Sequence, residues 1–132
     1  DNKMATYAAK ARTNYFTVTD KVAFLEWMKT YNPSAKLIEH KGEVGFIYDG
    51  SADMCNRDLG YSEEMAIEQL QKLLPEKEAV IIKEVGYENF RYLTAYCQII
   101  TRDAVESIDL DTFAMGKASE MLNTAFGTRM DY

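Results

Sequence analysis

The chain is 132 residues long, 47% hydrophobic and 27% charged, with a formal net charge of −6 at pH 7. That length fits one domain around a single core. The composition excludes a disordered chain, and the net acid argues against direct binding to nucleic acid.

Residues 1–12 are polar and Ala-rich without a firm pattern, and read as a frayed or short helical start. Residues 13–19, rich in β-branched and aromatic types, predict a strand with Phe16 and Val18 on one face. Asp20 is a natural N-cap for a helix running to about Tyr31, whose predicted apolar face is Val22, Leu25 and Met28, with Phe24, Trp27 and Tyr31 beside it. Asn32-Pro33-Ser34 ends it, because proline cannot continue the hydrogen-bond ladder. Strands are predicted at Lys36–His40 and Val44–Tyr48, joined through Lys41-Gly42-Glu43.

Residues 49–61 form a long loop rich in Asp, Gly, Ser and Asn, and long loops often carry function. Ser62 caps a second helix with the apolar stripe Met65, Ala66, Leu70, Leu73 and Leu74, closed by Pro75. Ala79–Val85 predicts a strand, Gly86–Asn89 a turn, and Phe90–Arg102 a long returning strand. A last helix starts near Asp109 or Asp111 and runs to about Ala125. The first six elements give β-α-β-β-α-β, the ferredoxin-like order, with an added strand and a C-terminal helix. The expected fold is α+β, residues 1–132 forming a single domain with an antiparallel sheet covered by helices.

The acid is unevenly spread. Residues 49–111 hold 14 Asp and Glu against 6 Lys and Arg, whereas residues 1–41 hold 4 against 7. No signature of a zinc protease, nucleophile elbow, phosphate-binding loop or dinucleotide fold is present, so no catalytic residue is assigned and a non-enzyme is expected. His40 stands alone, without a local nucleophile or orienting partner. Asp49, Ser51 and Asp53 imitate the start of a calcium loop, but Gly60 falls where the closing Glu belongs, and turn chemistry explains them instead. No metal or cofactor is expected. Cys55 and Cys97, with 41 residues between them, make no disulfide framework and read as free thiols. No apolar run is long enough to span a bilayer and no secretory leader opens the chain, so a cytoplasmic protein is expected.

Spaced carboxylates on a rigid domain can imitate duplex phosphates and occupy a nucleic-acid-binding channel of another protein. The candidate partner-binding residues are Asp49, Asp53, Asp58, Glu63 and Glu64, with Asp103, Glu106, Asp109 and Asp111 as a second cluster. Nine tyrosines add to the argument for a binding surface.

Two stretches, Ala11-Arg-Thr-Asn-Tyr-Phe-Thr-Val-Thr-Asp20 and Glu84-Val-Gly-Tyr-Glu-Asn-Phe-Arg-Tyr-Leu93, resemble small acidic accessory proteins carried by phages and conjugative elements of Firmicutes. The resemblance implies a counter-defence role, antirestriction or anti-CRISPR, and supplies no site residues. The leading expectation is a non-enzymatic inhibitor that binds a host defence protein, foremost a CRISPR effector nuclease, through the acidic surface. The alternatives are a small-ligand binder or sponge for a nucleotide signal, with Arg12, Arg57, Arg91 and Arg102 as its obvious donors, or an accessory interaction domain without inhibitory role. A homo-oligomer is left open.

Overall fold

The computed structural model describes residues 7–130, which form one open antiparallel sheet of six strands with three helices, an α+β architecture. In chain order the elements are β1 (Ala8–Thr13), α1 (Lys21–Tyr31), β2 (Lys36–His40), β3 (Glu43–Tyr48), α2 (Glu63–Gln71), β4 (Ala79–Glu88), β5 (Tyr92–Thr101), β6 (Val105–Asp109) and α3 (Leu110–Leu122). Across the sheet they run β2-β3-β1-β4-β5-β6. Two strands extend the expected β-α-β-β-α-β order instead of one, so the sheet as a whole departs from the ferredoxin-like expectation.

The first strand lies earlier than its composition predicts. Residues 8–13 are extended, while of residues 14–19 only Phe16 bridges, to Val44. The Ala-rich start favours a helix by propensity, but β1 is sandwiched between β3 and β4, and that pairing overrides it. Residues 1–6 lie outside the described residues. Asn14 ends the ladder: its backbone N donates to Ile81 O at 3.3 Å, while its side-chain amide donates to Ala79 O at 3.0 Å and its side-chain carbonyl accepts from Ile81 N at 2.7 Å.

The Asp20 carboxylate caps α1, accepting from Ala23 N at 3.1 Å. The helix buries Phe24, Trp27 and Met28, while Val22 is 73% exposed. The expected Val22-Leu25-Met28 face is therefore turned toward the aromatic side chains, which have more area to bury. Ser62 caps α2 by accepting from Met65 N at 3.2 Å, and Ala66, Ile67 and Leu70 face inward. The indole of Trp27 donates to Ala66 O at 2.9 Å and ties the two helices together.

Both helices pack on one face of the sheet, against Ala11, Val44, Phe46, Tyr48, Val80, Ile82 and Ile100. Edge-to-face contacts of Phe16 with Phe24 and Phe46 fix the centre of this core. Tyr48 donates to the buried Asn32 side chain at 2.5 Å, and burial raises the Tyr48 pKa.

The β4–β5 hairpin is longer than expected. Pairing continues to Glu88 and Tyr92, so the turn is Asn89-Phe90-Arg91, with Asn89 at φ 51°. Gly86, expected in the turn, lies within β4, where a Cβ would collide with the Tyr7 ring lying over it. β6 was not expected. Thr101 N donates to Ala104 O at 2.9 Å and Ala104 N to the Thr101 hydroxyl at 3.1 Å, closing a tight turn into it. Asp109 then caps α3, which ends with Asn123 at φ 54°, short of Ala125.

Candidate interaction surfaces

Alternation along the strands separates the sheet into two faces. On the helix side, α1 and α2 cover the sheet as far as β4, while the outer part of β5 and β6 stays accessible: Tyr96, Val105, Ser107 and Asp109 are exposed there. A pocket of about 250 Å³ opens at this end, lined by Ala52, Glu63, Ile82, Tyr96, Gln98 and Ser107.

Beside that pocket Glu84 is a carboxylate only 3% exposed. It accepts from Tyr7 Oη and Tyr96 Oη, each at 3.0 Å, and from Ala52 N at 2.8 Å. Three donors from three segments satisfy a buried charge that would otherwise be costly. Burial, reinforced by the bond to Glu84, pushes the Tyr96 pKa up to about 12. Tyr7 also bonds the Thr94 hydroxyl, and its pKa is raised first by burial. The 49–62 loop, β4, β5 and the start of β1 are thereby held together at one point.

The acidic residues of the first cluster do not act alike. Asp49 forms an ion pair with Lys10, and that hydrogen bond lowers its pKa. Asp53 is held by both terminal nitrogens of Arg57 at 2.9 Å and receives the Ser34 hydroxyl at 3.3 Å; the Arg57 bonds lower its pKa. Asp58, Glu63 and Glu64 are exposed, and Glu63 is brought into the same pocket as Ser107 of β6. The second cluster follows one sheet edge. Asp103 is in the β5–β6 turn, Glu106 and Asp109 are in β6, and Asp111 is in the first turn of α3. Register places Asp109 opposite Tyr96 on the helix side, with Glu106 opposite Ile99 on the other. Asp109 also spends one oxygen on α3, accepting from Thr112 N at 3.1 Å.

The face away from α1 and α2 has a different character, one that no local sequence pattern reveals. Residues Lys36, Ile47, Arg12, Lys83, Cys97 and Ile108 form a continuous cross-strand row. Arg12 and Lys83 are direct register partners, a like-charge pairing that weakens a sheet. Lys10 lies on the same face, one pair along. The Arg12 guanidinium lies 5.4 Å from the Tyr15 ring, and Tyr15 in turn touches His40. The four arginines picked from the sequence do not converge: Arg57 is taken by Asp53, Arg91 lies over Tyr92, and Arg102 lies beside Glu68, Gln71, Lys72 and Asp103.

Further along the same face the row turns apolar, with Val85, Tyr87 and Leu93 exposed. Cys55 and Cys97 are both free thiols and half-buried. Among the described residues no group of three or more His, Cys, Asp or Glu converges as a metal site, and no helix is long and apolar enough to cross a membrane. Comparison of the chain with protein families, with curated proteins and with solved structures finds no match to any of them.

Proposed function

We propose that this chain is a non-enzymatic inhibitor whose acidic sheet edge occupies a basic, nucleic-acid-binding groove of a host defence protein. The resemblance to mobile-element accessory proteins favours a CRISPR effector nuclease as the target. One observation carries the reading: the stretch from Asp103 to Gly116 forms the free edge of the sheet and the start of α3, and it holds four carboxylates and no Lys or Arg. Glu63 adds a fifth across the neighbouring pocket. Glu106 and Asp109 are about 10 Å apart along the strand and point to opposite faces, so the carboxylates flank a rigid edge rather than ride on a flexible tail. Asp49 and Asp53, already bound to Lys10 and Arg57, contribute little to such a surface.

The same reading extends to the scaffold. β1 lies between β3 and β4, α1 connects β1 to β2, and α2 connects β3 to β4, an arrangement that supports a ferredoxin-like unit elongated by β5, β6 and α3.

The test is a set of reversals that spares the capping Asp109: Glu63→Lys, Asp103→Lys, Glu106→Lys and Asp111→Lys together. Binding to the nuclease should weaken several-fold at low salt, with the difference shrinking as salt rises. Relief of inhibition in a plasmid-interference assay should follow. Salt-insensitive binding that survives the reversals overturns the proposal.

The cationic row on the face away from α1 and α2 favours a second reading, capture of a small nucleotide by Arg12, Lys36 and Lys83. A thermal-shift panel of nucleotides separates the two, since a tight ligand raises the melting temperature and the inhibitor reading expects no shift.

A further inference from the structure

Arg12 and Lys83 face each other across β1 and β4 as direct register partners. Like charges placed opposite each other repel, and nothing on the chain offsets them: among the described residues neither forms an ion pair. Arg12 Nε donates to Thr13 O at 2.9 Å, which leaves its two terminal nitrogens without an acceptor. Lys36, two strands away in the same row, also lacks an ion pair. Three cations on one face are therefore without counter-ions, a local cost of the kind that sheets bear at binding sites.

A cavity opens on each side of the pair, along the strands. One, of about 470 Å³, lies toward Val85 and has Ile47 and Lys36 in its walls. The other, also of about 470 Å³, lies toward Ile81 and has Asn14 and Tyr15 in its walls. Arg12 and Lys83 line both. Val85 and Ile81 stand two residues from Lys83 in opposite directions, ~7 Å each way, and both are exposed. The one carboxylate in the first cavity, Asp49, is held by Lys10, and the second cavity has none. Each cavity has the size of a small-molecule site, and each offers an apolar wall to a flat, weakly polar ring. A ligand that fills both must carry negative charge at its middle.

On the basis of the nucleotide-capture reading, we propose that this face binds a dinucleotide carrying a terminal phosphate. The bridging phosphate lies between Arg12 and Lys83, one nucleoside occupies each cavity, and the terminal phosphate meets Lys36. A mononucleotide fills one cavity and leaves the other open, whereas two nucleosides joined by a phosphodiester match the order cavity, cations, cavity. The guanidinium holds a phosphate through its paired N–H groups, and the ammonium groups act as point charges.

Isothermal titration of the full chain with pApA, pCpC, pGpG and pUpU, each against the nucleoside diphosphate of the same base, tests this. The two ligands of a pair carry about the same charge, so the second nucleoside is the difference between them. At least one dinucleotide should bind about ten-fold tighter than its diphosphate. Arg12→Gln and Lys83→Gln should each weaken it about ten-fold. Ile81→Asp and Val85→Asp, one in each cavity, should each bring the dinucleotide down to the level of the diphosphate. Lys83→Gln also relieves the repulsion with Arg12, so without ligand this variant should melt above the wild type; a lower melting temperature overturns the proposal. Diphosphates that bind as tightly as dinucleotides overturn it too and leave mononucleotide capture standing. Absence of binding by every ligand removes both, and the acidic-edge reading is untouched.

Discussion

Glu84 is the residue on which the exposed end of the molecule depends. Its two oxygens accept from Tyr7, Tyr96 and the Ala52 amide, all three near 3 Å. Glu84→Gln keeps the shape but turns one acceptor into a donor facing a donor. The expected cost is about 1–3 kcal/mol, read as a lower urea midpoint with an unchanged slope. The ionisable groups around the fold also set its pH limits. Burial raises Glu78, but Thr17 N at 2.7 Å, the Thr17 hydroxyl at 2.8 Å and Ala79 N at 3.0 Å outweigh it and leave its pKa lowered. Asp53 is lowered by Arg57. Stability from these two is full above the ordinary carboxylate range and is lost as pH falls through their depressed folded values. Tyr96 has the opposite sign. Its pKa is raised to about 12, so the stability of the neutral phenol is full below its unfolded value and is lost as pH climbs toward 12. Unfolding across the pH range should show both limbs, and Tyr96→Phe should flatten the alkaline one. An alkaline limb unchanged in that variant would assign it elsewhere, first to Tyr48.

At the scale of the elements, the helices differ in what holds them. α1 and α2 bury aromatic and aliphatic stripes and are joined by the Trp27 hydrogen bond. α3 relies on its ends: the Asp109 cap, Asp111 in the first turn and the left-handed Asn123. Asp109→Ala should cost about 1 kcal/mol, and the loss should be local. Amide exchange over residues 110–122 should accelerate by about five-fold, while the core strands keep their protection. Equal acceleration in β3 and β4 would mean that α3 is coupled to the core after all. β6 illustrates another rule. An edge strand exposes unpaired backbone groups, and carboxylates at 106 and 109 discourage strand addition there. The same acids are what the proposed inhibitor surface presents to a basic groove.

Across the whole molecule, the net charge of −6 conceals a separation by face and edge. Acid collects along β6 and the α3 start, whereas Lys10, Arg12, Lys36 and Lys83 share the face away from α1 and α2. The apolar groove lies beside the cations and continues into α3 through Leu110.

The sequence alone determined the helix starts and most of the strands, because those signals are local. Asp20 and Ser62 each sit before an apolar periodic run, Pro33 and Pro75 stop what precedes them, and Ala79–Val85 is too β-branched and apolar to be loop. β1 and β6 were legible only in three dimensions. Ala8–Thr13 becomes a strand by lying between two others, and Val-Glu-Ser-Ile-Asp places its apolar residues three apart, off the period-two signal. The site divides in the same way. The acids at 103, 106, 109 and 111 were readable because they are close in sequence, and the edge strand keeps them close in space. The Arg12–Lys83 pairing joins residues 71 positions apart, and the Glu84 centre draws on residues 7, 52 and 96. Cross-strand register creates both, and register belongs to the assembled sheet rather than to any stretch of chain.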